Sequence, residues 1–105
     1  MKPVALRDKD LAVLRDACRR FPAVREVRVF GSRATGTARR ASDLDLAISA
    51  PDATTAEWLD LCEALENAPL IYEPDLVRSE HLTNERLKEK IARDGVTVCP
   101  EEARS

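Results

Sequence analysis

A chain of 105 residues with 44% apolar and 34% charged residues has material for one hydrophobic core and not for two. A single domain spanning 1–105 is therefore expected. The net charge of −2 argues against the strong positive field of a protein that lives on nucleic acid. No apolar window approaches the length of a membrane span, and the opening MKPVALRDKDL has no apolar run of the kind a secretory leader needs.

With one Trp, one Tyr and two Phe, the core must be built from Leu, Val, Ile and Ala. The three cysteines, Cys18, Cys62 and Cys99, are odd in number, far apart, and lack metal-ligand spacing. They read as reduced, structural thiols, which points to the cytoplasm.

Residues 8–21 place Leu11, Leu14, Cys18 and Phe21 at helical spacing, with Asp8 as the expected cap and Pro22 as the stop. VREVRVF, 24–30, alternates apolar and charged residues and predicts a strand. GSRATG follows as a turn or short helical piece. SDLDLAIS, 42–49, alternates again. Leu44, Leu46 and Ile48 fall on one face, and Asp43, Asp45 and Ala47 on the other.

TTAEWLDLCEALENA, 54–68, is the clearest helix, opened by a Thr54–Glu57 capping box. IYEPDLVR, 71–78, predicts a third strand, which Pro74 pushes to a sheet edge or delays until after the proline. NERLKEKIARDG, 84–95, predicts a last helix stopped by Gly95, and VTVCP a closing strand or extended tail. His81 reads as a surface or capping residue and Trp58 as core. The order predicts an α/β protein of the α+β type, a small mixed sheet with helices packed on it.

The chemistry concentrates in VFGSRATGTARRASDLDLAI, 29–48. A period of two sets Asp43 and Asp45 on one sheet face, about 6.5–7 Å apart along the strand. Carboxylates that close repel each other and are best stabilised by a shared hard cation such as Mg²⁺. Gly31 allows close backbone approach to a ligand. The amides and hydroxyl that follow at Ser32 can face an anion. Arg33, Arg39 and Arg40 add positive charge where phosphates would sit. A cation on one side and amide donors on the other is an arrangement suited to a triphosphate.

These residues resemble the GS-x10-DxD signature of the polymerase-β-like nucleotidyltransferase superfamily, with Arg33 to Ser42 as the ten intervening residues. The resemblance is strongest to the minimal nucleotidyltransferase branch, the MntA-type antitoxins paired with HEPN-domain toxins. It extends to Asp75 in PDLV and to the closing IARDGV, and so covers roughly residues 10–98.

The resemblance implies that Gly31 and Ser32 hold the nucleotide phosphates, with Arg33 and Arg39 as further nucleotide contacts. It implies that Asp43, Asp45 and Asp75 are catalytic and bind two Mg²⁺ ions. ATP is then the substrate, and AMP passes to a tyrosine of a HEPN toxin encoded next door, as in a type VII-like antitoxin. Thr35 stands where the family often has a second Arg, Ala41 where an acidic residue is common, and Pro74 precedes the third Asp. So short a chain leaves little surface for an acceptor site, which a partner is expected to supply. Two alternatives stay open: the nucleotide-binding subunit of a two-component transferase acting on a small molecule, and an antitoxin that neutralises by contact alone.

Overall fold

The computed structural model describes residues 6–36 and 43–99. Its elements run α1 (Asp8–Arg20), β1 (Glu26–Phe30), α2 (Ser32–Thr35), β2 (Leu44–Ser49), α3 (Thr55–Glu66), β3 (Pro74–Arg78), a 3-10 turn (Ser79–His81), α4 (Glu85–Asp94) and β4 (Val96–Cys99). The strands form one sheet in the order β3-β2-β1-β4. β1 is antiparallel to both β2 and β4, while β2 and β3 run parallel. The predicted mixed sheet with packed helices is the architecture found. The closing segment is a paired strand rather than a loose tail.

Local chemistry explains most boundaries. Thr54 and Glu57 cap α3 reciprocally: Thr54 Oγ1 accepts the Glu57 amide at 3.1 Å, and the Glu57 carboxylate accepts the Thr54 amide at 2.8 Å. Asn84 Oδ1 accepts the Leu87 amide at 3.1 Å and opens α4. Pro74 begins β3 on the outer edge of the sheet, where a missing amide hydrogen costs no ladder bond. The expectation of an Asp8 cap is corrected. Arg7 is the cap residue, and Asp10, one turn on, accepts its amide at 3.3 Å and its guanidinium at 3.2 and 2.9 Å.

The sheet divides the interior in two. On one face Val27, Val29, Leu44, Leu46 and Ile48 pack with Leu14 and Ala17 of α1 and Leu61 and Leu65 of α3. Each large aliphatic side chain buried here contributes about 1.5–3 kcal/mol. On the other face a smaller cluster joins Phe30, Ala47 and Ile91, so that α4 covers part of the sheet. Arg78 ties the β2–α3 connection from beneath, donating to the carbonyls of Ala50 at 2.7 Å and Ala53 at 2.8 Å.

The cysteine reading is also corrected. Cys18 and Cys99 are joined by a disulfide, with Cα atoms 6.5 Å apart and a sequence separation of 81. The fold lays β4 along α1 and so brings together two residues that no local pattern could pair. Cys62 remains a free thiol, and burial, with help from the Glu66 charge, pushes its pKa up. The cysteines therefore no longer argue for a reducing compartment. Among the described residues no helix is long and apolar enough to cross a membrane.

Candidate active site

The site is assembled where β1 ends and the neighbouring strands begin. Phe30, the last residue of β1, is registered against Asp45 of β2, and Asp45 against Asp75 of β3. Directly opposed residues project from the same face of a sheet. Three adjacent strands therefore deliver Phe30, Asp45 and Asp75 side by side. This is the face of Ala47 and α4, opposite the main core. Phe30 and Ala47 anchor it from below, and the aspartates stand at its open end, Asp45 half-buried and Asp75 exposed.

Gly31 follows Phe30 with φ +73° and ψ −154°, a conformation essentially confined to glycine that costs a residue with a Cβ about 1–3 kcal/mol. Space forbids a side chain as well. A Cβ there would run into the Asp45 carboxylate, with Asp45 Cγ only 3.2 Å away. Gly31 and Asp45 therefore approach each other as backbone against carboxylate. Ser32 opens the single turn α2, whose Ala34 amide donates to Gly31 O at 3.0 Å and whose Gly36 amide donates to Ser32 O at 3.0 Å. Gly36 closes it in the left-handed region, with φ +86°.

Electrostatics mark Asp45 as the crowded member. Burial raises its pKa most, the charges of Asp75 and Asp43 raise it further, and so does a hydrogen bond with Asp75; the Lys90 ammonium on α4 opposes them. Carboxylates held together in this way favour a bound cation, and an all-oxygen, anionic donor set suits a hard divalent ion. Asp45 and Asp75 are in contact. Asp43, exposed and one residue ahead of β2, acts on Asp45 through its charge. Among the described residues no three His, Cys, Asp or Glu side chains are gathered tightly enough to enclose an ion as they stand.

Of the three arginines, Arg33 alone falls among the described residues. Arg39 and Arg40 lie outside the described residues, as does Ala41. Arg33 is 4% exposed. Its guanidinium carbon lies 3.5 Å from the centroid of the Tyr72 ring, so it is turned into the protein rather than displayed on the loop. Two residues near the site were not singled out for it by the sequence. Lys90 lies in the charged helix sequence 84–95 and Tyr72 two residues before Pro74, and neither falls in the GS-x10-DxD pattern. Only the docking of α4 and of the segment before β3 gives them their places.

Fold and site together define a class, the nucleotidyltransferase-type domain. The chain belongs to the family described as polymerase beta, nucleotidyltransferase, whose model matches residues 13–104. Among solved structures it is similar to a protein described as a minimal nucleotidyltransferase, with 37% identity over 84% of this chain and 87% of the other and a TM-score of 0.65. It shares its fold with a toxin–antitoxin structure containing AMP-PNP, at 24% identity over 84% of this chain and 71% of that one, TM-score 0.67. It shares it also with the complex of a tri-AMPylated Shewanella oneidensis HEPN toxin and its MNT antitoxin, at 23% identity over 87% and 66% of the two chains, TM-score 0.55. Comparison with curated proteins gives no match.

Proposed function

We propose that this protein is a Mg²⁺-dependent nucleotidyltransferase that acts as an antitoxin, transferring AMP from ATP to a tyrosine of a HEPN-domain toxin. The observation that carries this reading is the meeting of Gly31 with Asp45, and of Asp45 with Asp75, across three adjacent strands. It draws further support from a structural neighbour that pairs an MNT antitoxin with an AMPylated HEPN toxin. In this reading both proteins work in the cytoplasm.

Asp43, Asp45 and Asp75 would hold the metal, two ions in the full site. Bound there, Mg²⁺ would neutralise the phosphates and stabilise charge developing on the α-phosphate. Gly31 presents backbone without a side chain, so the triphosphate can approach the turn closely, and the Ser32 hydroxyl and the amides of α2 donate to its oxygens. Arg39 supplies positive charge from the connection between α2 and β2. Asp75, exposed on the edge strand, would accept the proton of an incoming hydroxyl. The tyrosine oxygen then bonds to the α-phosphorus as the bond to pyrophosphate breaks, and pyrophosphate departs.

The test is intact-mass analysis of the HEPN partner encoded next door, co-expressed with the wild type or with an Asp43→Ala/Asp45→Ala double variant. Added mass in whole AMP units only with the wild type is the expected result. An unmodified partner that co-purifies with both forms would instead support neutralisation by contact. A partner that neither binds nor gains mass would support a small-molecule acceptor.

A further inference from the structure

We propose that Tyr72 and Arg33 form one positioning unit that sets the Gly31–Ser32 turn against the strand carrying Asp75. The proposal rests on the nucleotide-binding reading of that turn and assigns it a support outside the signature residues. Arg33 follows Ser32 directly on α2, yet only 4% of it is exposed. A guanidinium tolerates such a place because it is planar and weakly hydrated and stacks on aromatic faces. The Tyr72 ring supplies that face at 3.5 Å. A lysine ammonium, compact and strongly hydrated, has no equivalent contact to make.

Tyr72 is itself held. The Ile71 amide donates to the Asp10 carboxylate, which is fully buried and gripped by the Arg7 guanidinium at 2.9 Å. On the other side, Glu73 O accepts the Leu44 amide at 2.9 Å, tying the same segment to the start of β2. Asp75 comes three residues after Tyr72. The connection runs from α1, through Asp10 to residues 71 and 72, and by the ring stack into α2. A movement of Tyr72 therefore shifts the phosphate turn and the third carboxylate relative to each other. Arg33 in this role is a positioning residue and makes no phosphate contact of its own.

The test is calorimetric binding of Mg·AMP-PNP to the full chain, with thermal melting of each variant alongside. Tyr72→Phe keeps the ring face and is expected to bind within about twofold of wild type, while Tyr72→Leu, Arg33→Met and Arg33→Lys each lose about tenfold. The Tyr72→Leu/Arg33→Met double variant is expected to be no weaker than either single, as for two residues acting as one unit. The inference is overturned if the two losses multiply, or if Tyr72→Leu binds normally while Arg33→Met does not. It is also overturned if Arg33→Lys binds like wild type, since a lysine can replace a direct phosphate contact but not a stacked one. Arg33→Lys and Tyr72→Phe keep the question open to decision even where Tyr72→Leu melts early. Wild-type protein that fails to bind Mg·AMP-PNP sinks the nucleotide reading and this inference with it. Binding without coupling sinks this inference alone.

Discussion

Asp45 and Asp75 stand directly opposite each other in the parallel β2–β3 ladder, so the carboxylates of two strands separated by a whole helix meet at one end of the sheet. The antiparallel register of Asp45 with Phe30 then brings the glycine that follows Phe30 onto the same carboxylate. The site is thus a product of strand order, with β2 in the middle.

Asp45→Asn separates function from folding. On the proposed function, loss of one metal-holding carboxylate would remove several kcal/mol of transition-state stabilisation, on the order of 10³-fold in rate, read as AMP transfer to the proposed partner. Stability should move the other way. The Asp45 pKa is raised in the folded state, above all by burial and then by Asp75 and Asp43. A raised carboxyl binds its proton more tightly when folded. Stability therefore falls as pH rises from the unfolded value through the folded one, and the cost is fully present above the folded value. The Asn variant, without metal, is expected to melt above wild type at pH 7. A lower melting temperature would contradict the crowding argument.

The two glycines with positive φ, Gly31 and Gly36, are expected to differ on substitution. Gly31→Ala combines positive φ with a collision against Asp45. It should cost more than the roughly 1–3 kcal/mol of backbone strain alone and abolish the proposed nucleotide binding. Gly36→Ala meets nothing within 4 Å, so only the strain remains, and binding should survive. Urea titrations read the stabilities and calorimetry the binding.

Acid should weaken the α1 anchor. Burial pushes the Asp10 carboxyl up, but hydrogen bonds from Arg7 and the amide of Ile71 outweigh it, and its pKa lies below the ordinary aspartate value. Glu80 is similar: burial is outweighed by the Ser49 hydroxyl at 2.6 Å, the Ala50 amide and Arg78. A depressed carboxyl contributes stability that is complete above its unfolded pKa and lost as pH falls through the folded one. Thermal melting between pH 7 and pH 3 should show a decline that is shallower in Asp10→Asn, which starts from lower stability at pH 7. Equal slopes would remove Asp10 from the account.

The disulfide predicts a thiol count. Alkylation of denatured, unreduced protein should modify Cys62 alone, and after reduction all three cysteines. Cys99→Ser is expected to lose about 2–4 kcal/mol, since a bond across 81 residues strongly restricts the unfolded chain. Three reactive thiols before reduction would show that the pair is not bonded in solution.

Local sequence determined α1, β1, β2, α3, β3 and α4 to within a few positions, because each rests on neighbours; it left α2 and β4 open and did not show the 3-10 turn Ser79–His81. Examples are the reciprocal cap of Thr54 and Glu57, the alternation of Leu44, Leu46 and Ile48, and the proline that starts an edge strand. It also singled out Gly31, Asp45 and Asp75, whose spacing in the chain carries a recognisable pattern. What local sequence could not decide was anything set by residues meeting across the fold. The bond between Cys18 and Cys99 depends on β4 lying along α1, and the burial of Arg33 depends on Tyr72 arriving from the segment before β3. Lys90 gained its influence on Asp45 only when Ile91 seated α4 on Phe30 and Ala47. Periodicity reports which side of an element is apolar; the partner that covers it is chosen only when all the elements pack at once.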